Sequence, residues 1–394
     1  MTTKLAFVIP WHGPEIPGGA ENLCRNWAHH LAEAGKQVEI LTTTIKEFQS
    51  NWNIAHYRPG IYGDGSVTVR RFALRPGDHH AFNLVNRKLL AGLPVSLEQE
   101  KTFFKESVNS DALIQFIEEQ RPHYLFLFIP YLYGTTYHGI AAAGDRSILI
   151  PCLHDEPYAR MRLTRQRLSA VQSWIFNSHP EQRLAERLYG ISPARKIVLG
   201  MGLPLNISGD AQAFRRKFLQ EAPFLLYVGR KDRTKNTDLL LAYFKEYKRN
   251  RLSSRLQLLL AGVGQETADG PDIRDLGYLA AQDKYDCFAA AQALCNPSVN
   301  ESFSIVLMES WLCGTPVLVN SHCPVTRDFA QRGRGGLCFS DYYEFEASLD
   351  YLTTHRKAAA QMASQGADLV SSEFSWPRLL GRFQEYIRGI RLDL

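Results

Sequence analysis

Two glutamates eight residues apart bracket the run Glu301-Ser302-Phe303-Ser304-Ile305-Val306-Leu307-Met308-Glu309, which leads on to Gly314-Thr315-Pro316-Val317. The run follows a strand ending near Asn296-Pro297 and opens a helix, placing Glu301 in the strand-to-helix turn. At 1.5 Å rise per helical residue the two backbones stand roughly 10–12 Å apart. That span is about the reach from the sugar to the ribose of a nucleotide diphosphate sugar. Between the carboxylates, the N–H groups of Ser302–Ile305 form a helix N-terminus suited to a pyrophosphate. The same residues also fit an amphipathic helix whose acidic first turn complements its dipole.

Tyr227-Val228-Gly229-Arg230-Lys231-Asp232-Arg233-Thr234-Lys235-Asn236 supplies the second constellation. Gly229 allows a tight turn at a strand's carboxyl end, from which Arg230 and Lys235 leave as two cations. A guanidinium fork and an ammonium point charge can together neutralise a diphosphate leaving group. A solvated basic loop is the competing reading, and Lys231 and Arg233 are expected to be solvated in either case.

Smaller signals stand at other strand ends. Pro17-Gly18-Gly19-Ala20-Glu21 opens the first long helix, where small residues let a ligand approach the backbone, although turns also use Gly-Gly freely. His154-Asp155-Glu156-Pro157 follows an apolar strand and is placed to touch a sugar, or else is a loop histidine beside a capping aspartate. His79-His80 reads as solvated. Gly262-Val263-Gly264 suggests a dinucleotide fingerprint, but Thr267 stands where its third glycine belongs.

These residues need a scaffold of strand carboxyl ends, and the chain provides one. Alternating apolar strands and amphipathic helices run through its length, the pattern of parallel sheets covered by helices. Strands are expected at Leu5–Pro10, Gln37–Thr43, Val67–Phe72, Tyr124–Ile129, Ser147–Cys152 and Ser173–Phe176. After a Gly/Pro-rich hinge around Gly200–Asp210 the rhythm restarts, with Phe224–Gly229, Leu256–Gly262, Ala293–Asn296 and Pro316–Asn320 as strands. Helices are expected near Ala20–Ala34, Asp238–Arg249, Ala280–Ala290 and Phe303–Cys313, and a helix-rich insertion spans Phe82–Gln120. At 394 residues the chain exceeds one ordinary core. The prediction is an α/β protein of two Rossmann-like doubly wound domains, residues 1–204 and 205–374, facing a central cleft.

Composition narrows the classes further. A net charge of +5 and a pI near 8.7 suit anionic small ligands or an anionic membrane surface and do not argue for nucleic acid. No stretch approaches the roughly 20 apolar residues of a membrane span. The short apolar start does not read as a signal peptide, so a cytoplasmic location is expected. The seven cysteines are scattered without a C-x-x-C pair, which points to reduced thiols and to neither zinc nor disulfides.

Taken together, Gly18-Gly19-Ala20-Glu21, His154-Asp155, Asn177-Ser178, Gly229-Arg230 with Lys235, Gly262 and Gly264, and the Glu301…Glu309 pair resemble the retaining glycosyltransferases of family four (glycosyl transferases group 1), which have the GT-B fold. The resemblance runs in the family's order over nearly the whole chain. It implies a hexosyltransferase moving a hexose such as mannose or glucose from a nucleotide-diphosphate sugar to a glycan or lipid-linked acceptor, in bacterial surface-polysaccharide or lipopolysaccharide biosynthesis. It implies that Arg230 and Lys235 hold the donor diphosphate, that Glu301 contacts the sugar and that Glu309 binds ribose hydroxyls. Backbone groups from Ser302, Phe303, Ser304 and Ile305, with Gly19 and Gly264, would accommodate the donor, and His154 would lie beside the reacting sugar. The catalytic set is then Glu301, His154, Arg230 and Lys235, with no metal and no cofactor.

Within that resemblance the first domain binds the acceptor and the second the donor. Phe374-Ser375-Trp376 begins a terminal helix, 375–394, that crosses back onto the first domain. Ser302 and Ser304 depart from the family, where glycines are often found, and would add hydroxyls near the sugar. Acceptor recognition falls to the Phe82–Gln120 insertion and to Tyr158–Arg167. The latter's Arg160, Arg162, Arg165 and Arg167 form either a solvated helix face or a contact with a pyrophosphate-linked acceptor or with anionic lipid head groups at the inner face of the plasma membrane. A nucleotide-sugar epimerase of the same fold, or a non-catalytic sugar-nucleotide-binding protein, are the rival functions.

Overall fold

The computed structural model describes residues 3–390 except 15, 17, 49 and 265–269. Pro17 of the small-residue run, Thr267 of the glycine motif and residues 391–394 of the expected terminal helix therefore lie outside the described residues. The chain divides into two units, Met1–Gly202 with Trp376–Leu394, and Leu203–Ser375.

In the first unit eight strands form one sheet: β1 (Lys4–Val8), β2 (Val38–Thr43), β3 (Gly60–Asp64), β4 (Val67–Phe72), β5 (Tyr124–Phe128), β6 (Ser147–Leu149), β7 (Ser173–Phe176) and β8 (Lys196–Val198). Their order is β3-β4-β2-β1-β5-β6-β7-β8, parallel except for the β3–β4 hairpin. The central strands are near-continuous apolar runs; all five residues of β5, Tyr-Leu-Phe-Leu-Phe, are buried, as a parallel strand covered on both faces requires. The order reverses between β1 and β5, where Val8 pairs with Phe128.

The second unit has β9 (Phe224–Val228), β10 (Gln257–Ala261), β11 (Ile273–Gly277), β12 (Ala293–Asn296), β13 (Val317–Asn320) and β14 (Gly336–Phe339), all parallel in the order β11-β10-β9-β12-β13-β14. Here the reversal lies between β9 and β12, so the carboxyl ends of those two strands flank the crevice where open α/β sheets bind ligands. Helices Thr237–Asn250 and Tyr342–Thr354 press Phe244, Phe345 and Leu349 onto the β9 and β10 core residues Leu225 and Leu258.

β3, β8, β11 and β14 are absent from the sequence reading. Each is short or half exposed, and β3 (Gly-Ile-Tyr-Gly-Asp) and β11 (Ile-Arg-Asp-Leu-Gly) carry polar residues and glycine at sheet edges. Edge strands lack the apolar runs that announce a central strand.

The helix Trp376–Gly389 packs within the first unit. Trp376 meets Trp27 edge-on at 5.3 Å and stacks on His30 at 3.9 Å, and Phe383 lies 5.5 Å from Trp27. A Cβ on Gly202 would stand 2.4 Å from the Trp376 ring, so that position in the expected hinge is glycine for packing. All seven cysteines are free thiols. No helix among the described residues is long and apolar enough to cross a membrane.

Candidate functional site

At the end of β9 the chain turns through Gly229 (φ +155°) and runs beside the loop that leaves β10. Gly229 N–H donates to Ala261 at 2.9 Å and Lys231 N–H to Val263 at 2.8 Å. The two backbones touch: a Cβ on Gly262 would lie 1.9 Å from the Gly229 carbonyl oxygen, and one on Gly264 would lie 2.3 Å from that of Lys231. Gly262 and Gly264 are thus explained by the crossing of these loops, which removes the need for a dinucleotide reading.

Of the four cations in this loop, Lys231 departs from expectation. Its side chain is 4% exposed and pairs with the partly exposed Asp275 of β11, so it is a structural residue and not a solvated lysine. The reason is that crossing: the backbone pairing of Lys231 with Gly264 turns its side chain toward the neighbouring strand. Arg233 is exposed, as read. Arg230 is 58% exposed and its nearest carboxylate, Asp232, stands 3.7 Å from Nε.

Lys235 ends a short 3-10 turn capped by Asp232, whose side chain accepts the Lys235 N–H at 3.1 Å. Its ammonium donates to Glu301 Oε1 at 2.7 Å. The switch point of the second unit thus brings Lys235, from the loop after β9, together with Glu301, from the loop after β12. Two amides brace the join: Asn236 and Asn320 donate from Nδ2 to the Pro297 carbonyl at 3.3 and 3.1 Å.

The helix after Glu301 spans Ile305–Leu312, two residues shorter at its start than read from sequence. Ser302 and Phe303 therefore precede the helix, and only Ile305 of the expected four residues is in its first turn. The cause is local. Phe303 is buried edge-on against Phe329 and Phe374, at 5.5 and 5.2 Å, and Ser304 takes the left-handed conformation at φ +69°. A non-glycine residue there is strained by about 1–2 kcal/mol. Asn296, 5% exposed, compensates by donating from Nδ2 to Ser304 Oγ at 2.9 Å while its Oδ1 accepts the Ser298 N–H at 3.0 Å. The Ser304 hydroxyl is thereby anchored to the end of β12.

Glu309 lies further along that helix, 4% exposed. Lys284, on the neighbouring helix Ala281–Ala290, donates to its Oε1 at 2.6 Å, and its Oε2 meets no hydrogen-bond donor among the described residues. Burial pushes the Glu309 carboxyl above the usual range, and the Lys284 charge opposes that rise. Lys284 is missing from the sequence reading because no spacing links it to Glu309; only helix packing does.

In the first unit, Glu21 is buried and accepts the indole N–H of Trp11. A Cβ on Gly18 would strike the Glu21 carboxylate at 1.7 Å, whereas one on Gly19 would meet nothing within 4 Å. Packing accounts for Gly18, and Gly19 opens onto unfilled space at the start of the helix Gly19–Glu33.

His154, 30% exposed, follows β6 in a tethered loop. The buried Glu181 accepts the Leu153 N–H on one oxygen and the Asn177 N–H on the other, both at 2.6 Å. Burial carries the Glu181 carboxyl up to about 8, against these backbone bonds. On the far side Tyr131 donates to Glu156 at 2.7 Å, and Glu156 lies 3.9 Å from His154 Nδ1. Asp155 pairs with Arg160 and Arg187. His80 is exposed, but His79 is half-buried and stacks on Trp52 at 4.8 Å, a correction to its solvated reading.

Residues 210–368 match the family described as Glycosyl transferases group 1. Among curated proteins, the D-inositol 3-phosphate glycosyltransferase of Streptosporangium roseum is 27% identical over 260 residues, covering 61% of this chain and 60% of the relative. That of Geodermatophilus obscurus is 30% identical, covering 60% of this chain and 55% of the relative. The match thus spans about 60% or less of these relatives' length. Among solved structures, Anabaena HepE in complex with UDP superposes with a TM-score of 0.71 at 14% identity, over 98% of this chain and 100% of that one. An E. coli trehalose-6-phosphate structure bound with UDP-2-fluoro glucose gives 0.73 at 11% identity, over 98% and 99%. The fold is GT-B, and the resemblance to group 1 glycosyl transferases holds.

Proposed function

We propose that this chain is a retaining glycosyltransferase that moves a hexose from a nucleotide-diphosphate sugar to a glycan or lipid-linked acceptor. The observation that carries the reading is the Lys235–Glu301 pair beside Arg230 at the β9/β12 switch point, inside the region that matches the group 1 family. An ammonium has three N–H donors; one serves Glu301 and two are left for phosphate oxygens. Arg230, exposed in the same loop, adds a guanidinium fork.

In this mechanism the acceptor hydroxyl attacks the anomeric carbon from the face that the nucleotide leaves. The bond between the anomeric carbon and the diphosphate oxygen breaks, and its electron pair goes to the diphosphate. The departing oxygen takes the acceptor's proton. Arg230 and Lys235 balance the charge that develops on it, without a metal ion or cofactor. Glu301 faces the sugar as a stabilising carboxylate. Glu309 binds ribose hydroxyls, which reach it by exchanging with the Lys284 ammonium or by donating beside it. The second unit is the donor domain and the first the acceptor domain; Gly19 keeps its expected role toward the donor and His154 its role toward the sugar.

A bacterial surface-polysaccharide or lipopolysaccharide precursor, handled at the cytoplasmic face of the membrane, is the acceptor we favour. The relatives' name, D-inositol 3-phosphate glycosyltransferase, favours a second reading in which the acceptor is a phosphorylated polyol. The test is ligand-observed NMR against UDP-, GDP-, ADP- and dTDP-sugars, followed by transfer assays with both acceptor classes. Selective binding of one nucleotide sugar, weakened in Glu309→Ala, supports the donor site; no binding to any of them overturns it.

A further inference from the structure

The first unit carries a surface whose chemistry the transfer reaction does not use. The helices His79–Leu90 and Leu97–Glu106 pack against one another, and the turn joining them is apolar and in water: Leu90 is 69% exposed, Leu93 54% and Leu97 38%. The first helix is anchored beneath by buried Phe82, Val85 and Leu89 and sends Arg87 and Lys88 outward.

A third helix, Arg162–Ser169, is fixed beside this hairpin by one carboxylate. Glu100, 3% exposed, accepts the N–H groups of Arg162 at 3.0 Å and Leu163 at 2.8 Å, capping the third helix with a residue of the second. Arg162 and Arg165 of that helix are exposed. Two exposed acids of this region are engaged, Glu98 with Lys101 and Asp155 with Arg160. The result is an apolar turn flanked by cations, Arg87, Lys88, Arg162 and Arg165, that form no ion pair among the described residues. That combination matches an anionic bilayer, in which apolar side chains enter the headgroup–acyl boundary and basic ones bind headgroups.

We propose that the Leu90–Leu97 turn and the adjoining basic helix Arg162–Ser169 form a docking surface for anionic lipid bilayers, with the leucines inserted and Arg87, Lys88, Arg162 and Arg165 on the headgroups. The surface deepens the proposed function by naming the element that holds the chain at the membrane, and it stands or falls separately from the donor site.

The experiment is co-sedimentation of the full chain with vesicles of phosphatidylcholine alone and of phosphatidylcholine mixed with phosphatidylglycerol. The wild type sediments with the mixed vesicles, less so as salt rises, and little with phosphatidylcholine alone. Each cation near an anionic surface contributes about fivefold, so Arg162→Gln with Arg165→Gln lowers partitioning roughly twenty-five-fold. Leu90→Ser with Leu93→Ser lowers it about tenfold. These side chains are exposed, so the variants fold, which circular dichroism and thermal melting of the same samples verify, with nucleotide binding measured alongside. Three results overturn the proposal: no binding of the wild type to mixed vesicles; unchanged partitioning of the leucine variant; or a leucine variant whose only change is loss of self-association, which would make the turn a contact with a second copy. Failure of every sample to bind nucleotide would overturn the donor site and leave the vesicle result standing.

Discussion

Lys235 and Glu301, 66 residues apart in sequence, meet at 2.7 Å across the β9/β12 switch point. Neither is deeply buried, at 25% and 13% exposure, so the pair itself contributes about 1 kcal/mol or less to stability. Its position, and not its strength, gives it importance. Lys235→Ala is expected to lower turnover by about a hundredfold or more while the thermal midpoint stays close to that of the wild type. Near-normal turnover would remove the assigned role of Lys235.

The neighbouring lysine behaves in the opposite way. Lys231→Ala removes a buried side chain and its ion pair with the partly exposed Asp275 and is expected to destabilise the fold by about 1 kcal/mol or more. Arg233→Ala, on an exposed side chain, stays within about 0.5 kcal/mol. Urea unfolding of the two variants side by side checks the contrast.

Ser304 holds a strained backbone in return for the Asn296 bond. Ser304→Gly relieves about 1 kcal/mol of strain and loses a bond of about the same worth, so its stability is expected near that of the wild type. Ser304→Ala keeps the strain and loses the bond, a cost of about 1 kcal/mol. Equal stability of the two variants would contradict the account of this turn.

Glu181 makes a pH-dependent contribution whose sign is fixed by burial. Its carboxyl is pushed up to about 8, so the folded state binds a proton that the unfolded chain releases near pH 4.5. The group therefore favours folding fully below that lower value and loses this contribution as pH rises toward 8. The loss is up to about 1.4 kcal/mol per pH unit. Subtracting the Glu181→Gln stability profile from that of the wild type should isolate a falling slope between pH 5 and 8; a flat difference refutes it.

Transfer is expected to persist in excess chelator, because Arg230 and Lys235 serve where a divalent ion otherwise would. Activity lost to chelator and restored by a divalent ion would contradict the metal-free mechanism.

What sequence discloses and what it conceals divide along physical lines. Buried parallel strands are legible because both faces demand apolar residues, and β7 and β12 coincide with their sequence-read limits, as does β4 through its alternation. Motif residues at strand ends, such as Gly229, Glu301 and Glu309, are legible because a single linear segment carries them. The partners that make them a site are not. Lys284 reaches Glu309 from 25 residues away on another helix, and Glu181 reaches Leu153 from 28. Glycine is ambiguous in the same sense: Gly18, Gly262 and Gly264 look like ligand-binding glycines, and Gly202 like part of a hinge, until the side chains and carbonyls pressing on them are seen.

The return of the helix Trp376–Gly389 to the first unit sets an order of events on the ribosome. The second unit, Leu203–Ser375, is one continuous stretch and can complete its core as soon as it emerges. The first unit cannot: the face of Trp27 that Trp376 and Phe383 cover stays open to water until those two residues have been made. The nascent first unit therefore waits, with an aromatic surface uncovered, through the synthesis of all 173 residues of the second. Chaperone capture should concentrate in that interval, and a stop codon near Ser375 should yield a folded second unit attached to an aggregation-prone first one.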